Sequence, residues 1–337
     1  MTTSKTLAAA ALALSVAVPA SAARTIKFAT LAPQGSTWMN VMHALAQEVA
    51  RKTGGDLKFR FYAGGVAGDE KDVVMKIRIG QLQGGAFTGV GLGEIAPETR
   101  LLDAPWLFRS RAELERIRRD FGPELSAAVA KKGFVVLGWT DLGAVYVFSK
   151  DPISGPDDMK KEKMWVWSGD PIAQAAYQAL GVSPIPLSIV DVMQSLQTGL
   201  IDAVYGPPLG VVALQWFRRV KHIYPVPMAE SSGAVLVSKR FFDALPEKDR
   251  KVLVEVSAEQ ISRLNALTAA ENEKALKAME KQGLTMGPKP DAATMKRYEE
   301  LGRRARRALA GRLFPQDLLD RVEKELAAYR ARASTKR

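Results

Sequence analysis

The sequence predicts an α/β protein of about two domains. Runs of alternating or β-branched apolar residues recur between stretches whose apolar residues return at helical spacing, the pattern of strands laid against helices. The chain has 337 residues, enough for more than one hydrophobic core. Between Glu247 and Gln282 it has neither proline nor glycine, which predicts one uncommonly long helix with Gly283 as its stop, long enough to span two lobes.

Positions 1–22 combine Lys5, an apolar run and the small residues Ala20-Ser21-Ala22, the three parts of a secretory signal, so the mature chain is expected to begin at Ala23. The apolar run is about 14 residues, short of the roughly 20 that cross a bilayer, and a soluble exported protein is the expectation. A strand is predicted over 25–31, and then Ser36 caps a helix whose inner face is Trp38, Val41 or Met42, Leu45 and Val49. Gly54-Gly55 stops it. In the next strand Leu57, Phe59 and Phe61 face one way while Lys58, Arg60 and Tyr62 face the other. Asp69 then caps a helix through Ile79, and Ala86-Phe87-Thr88 forms a third strand. The stretch Gly89-Val90-Gly91-Leu92-Gly93 reads as a tight loop close to a cleft. It lacks the glycine offset of a dinucleotide fingerprint and the lysine of a P-loop, and no cofactor is expected. Further strands are predicted over 134–139, 144–148, 164–167, 183–187, 201–205 and 235–238. Beyond Pro288 and Pro290, helices are predicted over 291–312 and 316–331.

Composition excludes several classes of function. With no cysteine there is no disulfide framework and no lipidation site after the signal, so stability must come from an apolar core. The two histidines, His43 and His222, lie far apart without a spaced carboxylate, so no metal site is expected, and no G-x-S-x-G elbow is present. An exported enzyme is therefore a remote alternative. The formal charge is +12, and much of the excess sits late, at Arg297, Arg303, Arg304, Arg306, Arg307, Arg312, Arg321, Arg330 and Arg332. These read as a solvated helix face or as a surface for an anionic partner; no nucleic-acid module accompanies them, and no nucleic acid is expected.

Several segments, in order, resemble those of the extracytoplasmic solute receptors of tripartite ATP-independent periplasmic (TRAP) transporters, the DctP type. They are Gly64-Gly65-Val66-Ala67-Gly68-Asp69-Glu70, Leu102-Asp103-Ala104-Pro105-Trp106-Leu107-Phe108, Gly181-Val182-Ser183-Pro184-Ile185-Pro186-Leu187 and Val192-Met193-Gln194-Ser195-Leu196-Gln197-Thr198-Gly199-Leu200-Ile201-Asp202-Ala203. Asp158-Met159-Lys160-Lys161-Glu162-Lys163-Met164-Trp165-Val166-Trp167 is similar to the family's "DLKGLKIRVP", with tryptophan at the position of the ligand-binding arginine. The resemblance covers nearly the whole mature chain.

It implies a two-lobe periplasmic-binding-protein fold with mixed sheets, hinge strands and a lobe-spanning helix. Lobe I would comprise 23–144 and 232–272, lobe II 145–231 and 273–331, with 332–337 as a flexible tail. Ligand would lie in the cleft between them. The binding positions carried over are altered. Trp165 replaces the main arginine, Ala144 a second arginine, Tyr205 a glutamate and Gly206 an asparagine; Thr88 takes a polar contact, beside Gly89, and Ile189 keeps an apolar wall. Trp167 shares a strand face with Trp165, and Trp38 and Trp139 are further aromatic candidates, each of which could equally be core.

A carboxylate closed into a cleft without a cation loses several kcal/mol. The expectation is therefore a periplasmic receptor for a hydrophobic or amphipathic small molecule, resembling the receptors that lack the arginine. The implied partners are the small and large TRAP membrane subunits, with a tetratricopeptide-repeat periplasmic protein as a further candidate. The alternative is an organic-acid receptor that uses another cation, Lys150, Arg78 or Arg100.

Overall fold

The structure, a computed structural model, describes residues 23–334. The expected secretory signal and the last three residues of the expected tail lie outside the described residues.

Strand β1 (Arg24–Ala29) is followed by helix α1 (Thr37–Lys52), whose first turn is capped where the Ser36 hydroxyl accepts from the Met39 amide at 3.3 Å. β2 (Leu57–Tyr62) lies parallel to β1, with Phe28 beside Phe61, and α2 (Glu70–Arg78) starts at the Asp69 capping box. β3 (Gly84–Thr88) lies parallel to β1 on its other side and leads into α3 (Gly89–Ile95), a 3₁₀ turn at Pro97–Asp103 and α4 (Arg111–Lys131). β4 (Phe134–Ser149) follows. Next come β5 (Trp165–Trp167), α5 (Pro171–Leu180), β6 (Ile185–Leu187), α6 (Val192–Thr198), β7 (Ala203–Gly206) and α7 (Pro208–Ala213). β8 (His222–Ile223), β9 (Ala229–Ser238), α8 (Lys239–Asp243) and α9 (Glu247–Lys281) precede β10 (Thr285–Met286), α10 (Ala292–Leu309) and α11 (Gln316–Ser334). α11 runs three residues past the expected helix end, so the first half of the expected tail is helical.

The strand order is β10-β8-β4-β9-β3-β1-β2, with β7 added on β4 and the parallel pair β5-β6 joined to β7 by a bridge between Met164 and Ala203. β4 belongs to both halves. Its residues from Phe134 to Val145 pair antiparallel with β9, and those from Tyr146 to Ser149 pair antiparallel with β7, the last two also with β8. The sequence predicted two strands here, over 134–139 and 144–148. Instead the ladder shifts register between Asp141 and Gly143, and again between Val136 and Gly138, so the interruptions are bulges within one strand. Gly143 has φ +107°, and a Cβ there would lie 2.6 Å from the Asn272 amide nitrogen.

The long helix appears as predicted. At 35 residues α9 is roughly 50 Å long, and it contributes Leu253, Val256 and Ile261 to the core beneath β1 and β9, but Met279 to the core around Trp165 and Trp216. The single helix thus buries its apolar stripe against both halves.

Most of the C-terminal arginines lie on the solvated face expected of them, but not all. Arg303, Arg304, Arg307 and Arg312 are exposed. Arg306, however, is buried and binds Glu323 at 3.0 Å and the Pro105 carbonyl at 2.8 Å, Arg330 binds Glu113 and the Leu107 carbonyl, both at 2.7 Å, and Arg321 binds Glu124 at 2.8 Å. Helical spacing puts these three opposite acids of α4 and α11, so they staple the last helices to the body.

Asn272 ties three elements together. From α9 its amide donates to the carbonyls of Leu142 and Thr268 and accepts from the Leu209 amide, each at 3.0 Å. Truncating it leaves a strand carbonyl and a helix amide without partners. Asn272→Ala is expected to lower the unfolding free energy by about 1–3 kcal/mol in urea titrations; a loss under about 0.5 kcal/mol would mean that the junction is not held this way.

Candidate functional site

Where the two halves meet, a cavity of about 280 Å³ is enclosed by the ends of β1, β3, β5 and β7, the turn before α4, the middle of β4, and α7. Eight of the ten residues singled out from the sequence line it: Trp165, Tyr205, Gly206, Thr88, Gly89, Ile189, Trp167 and Trp38. Two do not. Trp139 turns its indole N–H to Ser126 Oγ at 3.1 Å and packs among buried residues beside α4. Ala144 follows the Asp141–Gly143 bulge, and Leu142 and Val145 reach the cavity in its place.

The strand Trp165-Val166-Trp167 sets two indoles on one face, and the surrounding elements lock both. Trp165 is 1% exposed, stacks on Tyr205 at 4.9 Å between ring centres, meets Trp216 edge-on at 5.3 Å, and donates its N–H to the Leu187 carbonyl at 3.1 Å. Its one donor is therefore already used. Trp167 donates to both carboxylate oxygens of Asp69 at 3.0 and 3.1 Å, and Ser188 donates to the same carboxylate. Both tryptophans present apolar ring surface to the cavity and no free N–H.

Beside this slab lies a buried charge cluster. Arg100 is 3% exposed; its Nη2 donates to Asp170 Oδ1 at 2.6 Å and its Nη1 lies 3.6 Å from Asp103 Oδ2. Asp170 also caps α5 through the amides of Ile172 and Ala173 and accepts from the Tyr205 hydroxyl at 2.8 Å. Asp103 accepts from the Ser232 amide at 2.8 Å. Burial opposes the Arg100 charge, yet Asp170 and Asp103 hold its pKa above the ordinary value. Burial pushes the Asp103 carboxyl up to about 6 against the pull of Arg100. Glu70, fully buried, is pushed up to about 7 although it accepts from the Thr88 amide, the Thr88 hydroxyl and the Gly91 amide.

The glycine-rich segment is not the expected loop but α3, capped by the Thr88 hydroxyl on the Val90 amide. Its glycines make room for the charge cluster, not for ligand. A Cβ on Gly89 would lie 1.6 Å from Asp103 Oδ2, one on Gly91 2.7 Å from Glu70 Oε2, and one on Gly93 2.9 Å from Arg100 Cδ. Of the three cations considered from the sequence, Lys150 binds Asp202 at 2.8 Å and Arg78 the Glu94 carbonyl at 3.1 Å, and neither lines the cavity. Arg100 does. The sequence reading missed Asp103, Asp170, Tyr177 and Glu230 as cavity residues; of these only Asp170, ahead of Pro171, carried a local signal, that of a helix cap. Neither histidine lines the cavity, and among the described residues no group of three or more His, Asp or Glu is placed to hold a metal.

Residues 28–307 match the DctP family of bacterial extracellular solute-binding proteins, family 7. The C4-dicarboxylate-binding periplasmic protein DctP of Rhodobacter capsulatus is 29% identical over 82% of this chain and 84% of its own length. Among solved structures, a TRAP periplasmic solute-binding protein from Citrobacter koseri with bound D-glucuronate aligns with TM-score 0.81 at 23% identity, over 89% of this chain and 98% of that one. A Bordetella pertussis extracytoplasmic solute receptor binding pyroglutamic acid aligns with TM-score 0.82 at 20% identity, over 90% and 100% of the two chains. At these identities the likeness establishes the two-lobe fold.

The raised carboxyls give stability a definite pH dependence. Glu70, Asp103 and Glu230 keep their protons in the folded state at pH values where the unfolded chain has lost them, so the folded state binds more protons and stability falls as pH rises. The melting temperature is expected to drop between about pH 4 and pH 7, and Glu70→Gln to flatten part of that slope; a melting temperature that climbs across this window would contradict the burial of these groups as acids.

Proposed function

The chain belongs to the DctP family, the bacterial extracellular solute-binding proteins of family 7, and from that premise we propose that it is a periplasmic receptor for a hydrophobic or amphipathic small molecule. It captures the ligand in the interlobe cavity, with no chemical turnover, and delivers it to the small and large membrane subunits of a TRAP-type permease. A tetratricopeptide-repeat protein is a further partner in this reading. Lobe I comprises 23–144 and 232–272 and lobe II 145–231 and 273–331, so that the chain crosses between them in β4, ahead of the bulk of β9, and in α9.

One observation carries the ligand class: the only cation lining the cavity among the described residues, Arg100, is already neutralised by Asp170 and Asp103. A ligand carboxylate would have to displace one of these acids, or sit uncompensated beside Glu70 and Glu230, at a cost of several kcal/mol. Apolar ligand surface meets no such cost against Trp165, Leu142, Val145, Ile189, Val211 and Leu214. At about 25 cal/mol per Å², burying some 200 Å² of ligand returns about 5 kcal/mol.

A second reading, an organic-acid receptor, has support of its own. The Nε of Arg100 is buried without a partner, and the relatives above are named for, or were solved with, carboxylates. In this reading a ligand acid takes that nitrogen and Asp103 gives up its place as a proton-bearing acid.

Thermal shift separates the two. Mature protein freed of ligand by unfolding and refolding is expected to gain about 5 °C with uncharged apolar compounds at about 100 times Kd, and nothing comparable with small mono- or dicarboxylates. Leu142→Trp, which fills the cavity from β4, is expected to abolish the gain, and Trp165→Ala to weaken it. Stabilisation by small acids alone would establish the second reading.

A further inference from the structure

Four carboxylates line the cavity: Glu70, Asp103, Asp170 and Glu230. Three of them are fully engaged. Glu70 accepts three hydrogen bonds, Asp170 is bound by Arg100, Tyr205 and two helix amides, and Asp103 by Arg100 and the Ser232 amide. Glu230 differs. It stands on β9 and is 9% exposed, and among the described residues none hydrogen-bonds or ion-pairs with its carboxylate.

The charged groups around Glu230 explain why no described residue answers it. Asp141 on β4 and Arg111 on α4 act on it electrostatically, with Glu113 on α4, Tyr146 further along β4, and Asp103 held at the neighbouring Ser232. Arg111 spends its guanidinium on Asp141 at 3.1 Å and Glu115 at 2.7 Å, Arg118 binds Asp141, and Arg330 binds Glu113. Each cation in reach is taken by another acid. A second buried polar group is left over in the same cavity: the Tyr177 hydroxyl, on a side chain with no exposure, has no hydrogen-bond partner. The Glu230 carboxylate, to which no described residue donates, calls for a donor-bearing head on an apolar body, and the Tyr177 hydroxyl can either accept from or donate to such a head; the third unpaired group of the cavity, Arg100 Nε, belongs to the Asp103–Asp170 cluster.

We propose that the ligand is an amphipathic amine whose ammonium group pairs with Glu230 while its apolar body lies against the Trp165 slab. This rests on the apolar-cavity reading above and supplies the head group for it. A carboxylate head is repelled at this position by the same acid, and a neutral alcohol satisfies the carboxylate without neutralising it. Such a pair offsets the desolvation of both charges, and its effect is selectivity for a cationic head over a neutral or anionic one. Burial pushes the Glu230 carboxyl up to about 7, so the amine competes with a proton there, and its affinity rises with pH as that proton leaves.

The test is isothermal titration of mature protein, freed of ligand by unfolding and refolding, with phenylbutylamine, phenylbutanol and phenylbutyrate, which share one skeleton. The amine is expected to bind at least about tenfold more tightly than the alcohol or the acid, and to gain affinity between about pH 6 and pH 8. In Glu230→Gln the amine-over-alcohol preference is expected to collapse towards unity and its pH dependence to vanish, whereas Glu230→Asp retains part of both. If alcohol and amine bind equally, or the preference survives Glu230→Gln, the head-group assignment falls and the apolar cavity stands. If the acid binds most tightly, or none of the three binds at about 1 mM, both fall.

Discussion

The ion pair between Arg100 and Asp170 is the constraint around which the cavity is organised. Arg100 sits in the turn between α3 and α4, on the side of β9 and β3, and Asp170 caps α5 on the opposite side, so a bond of 2.6 Å joins the two walls directly. Much of the local geometry follows from it. Asp170 fixes the Tyr205 hydroxyl, Tyr205 in turn accepts from the Trp167 amide at 3.2 Å, and its ring is the floor on which Trp165 stacks. On the other side, α3 must come so close to Arg100 and Asp103 that only glycine fits at positions 89 and 93. A buried pair like this adds little net stability against an apolar replacement, but removing one partner strands the other charge and costs about 3–5 kcal/mol, so it fixes which arrangement the walls adopt.

A second polar tie works in parallel. Asp69, the cap of α2, receives Trp167 and Ser188 from the opposite wall. The two ties use up the donors and the cation that a carboxylate-binding cleft would offer: both indole N–H groups and two nitrogens of the guanidinium. What remains facing the cavity is ring surface, aliphatic side chains and an excess of acids. The tryptophan at position 165 is thus not an isolated replacement of an arginine. It sits in a site where most of the other potential anion-binding groups are committed within the protein, the Nε of Arg100 and the Tyr177 hydroxyl being the exceptions.

The sequence carried the frame of this molecule better than its interior. Caps at Ser36 and Asp69, glycine stops and the proline-free run of α9 act within a few residues of chain, and the structure has them where local chemistry placed them. The unbroken β4 was hidden because a bulge and a loop share the same residues, Asp141-Leu142-Gly143, and only the partner β9 decides between them. The same bulge moved Ala144 off the cavity and brought in Leu142 and Val145. Trp139 was misplaced for a related reason: an aromatic on a strand has two faces to choose from, and Ser126 on α4 supplied the partner for its N–H. As a group the acids were illegible. Asp103, Asp170 and Glu230 are single letters about 60 to 130 positions apart, with no shared spacing, and they become a group only when the turn before α4, α5 and β9 converge.

That convergence separates two tasks within one chamber. Closure geometry is set by polar bonds between protein groups, Arg100 to Asp170 and Trp167 to Asp69, which have fixed lengths and directions. In the function proposed here, ligand selection is left to the apolar walls between them, which discriminate by size, and to Glu230. A ligand shifts the balance between open and closed lobes only by what it gains in one state over the other. Here the directional polar bonds are made within the protein, so in the proposed function the ligand's contribution comes from excluded water and from whatever charge it brings to Glu230. A chamber built this way can tolerate variation in the shape of the apolar body far better than a change in the sign of the head.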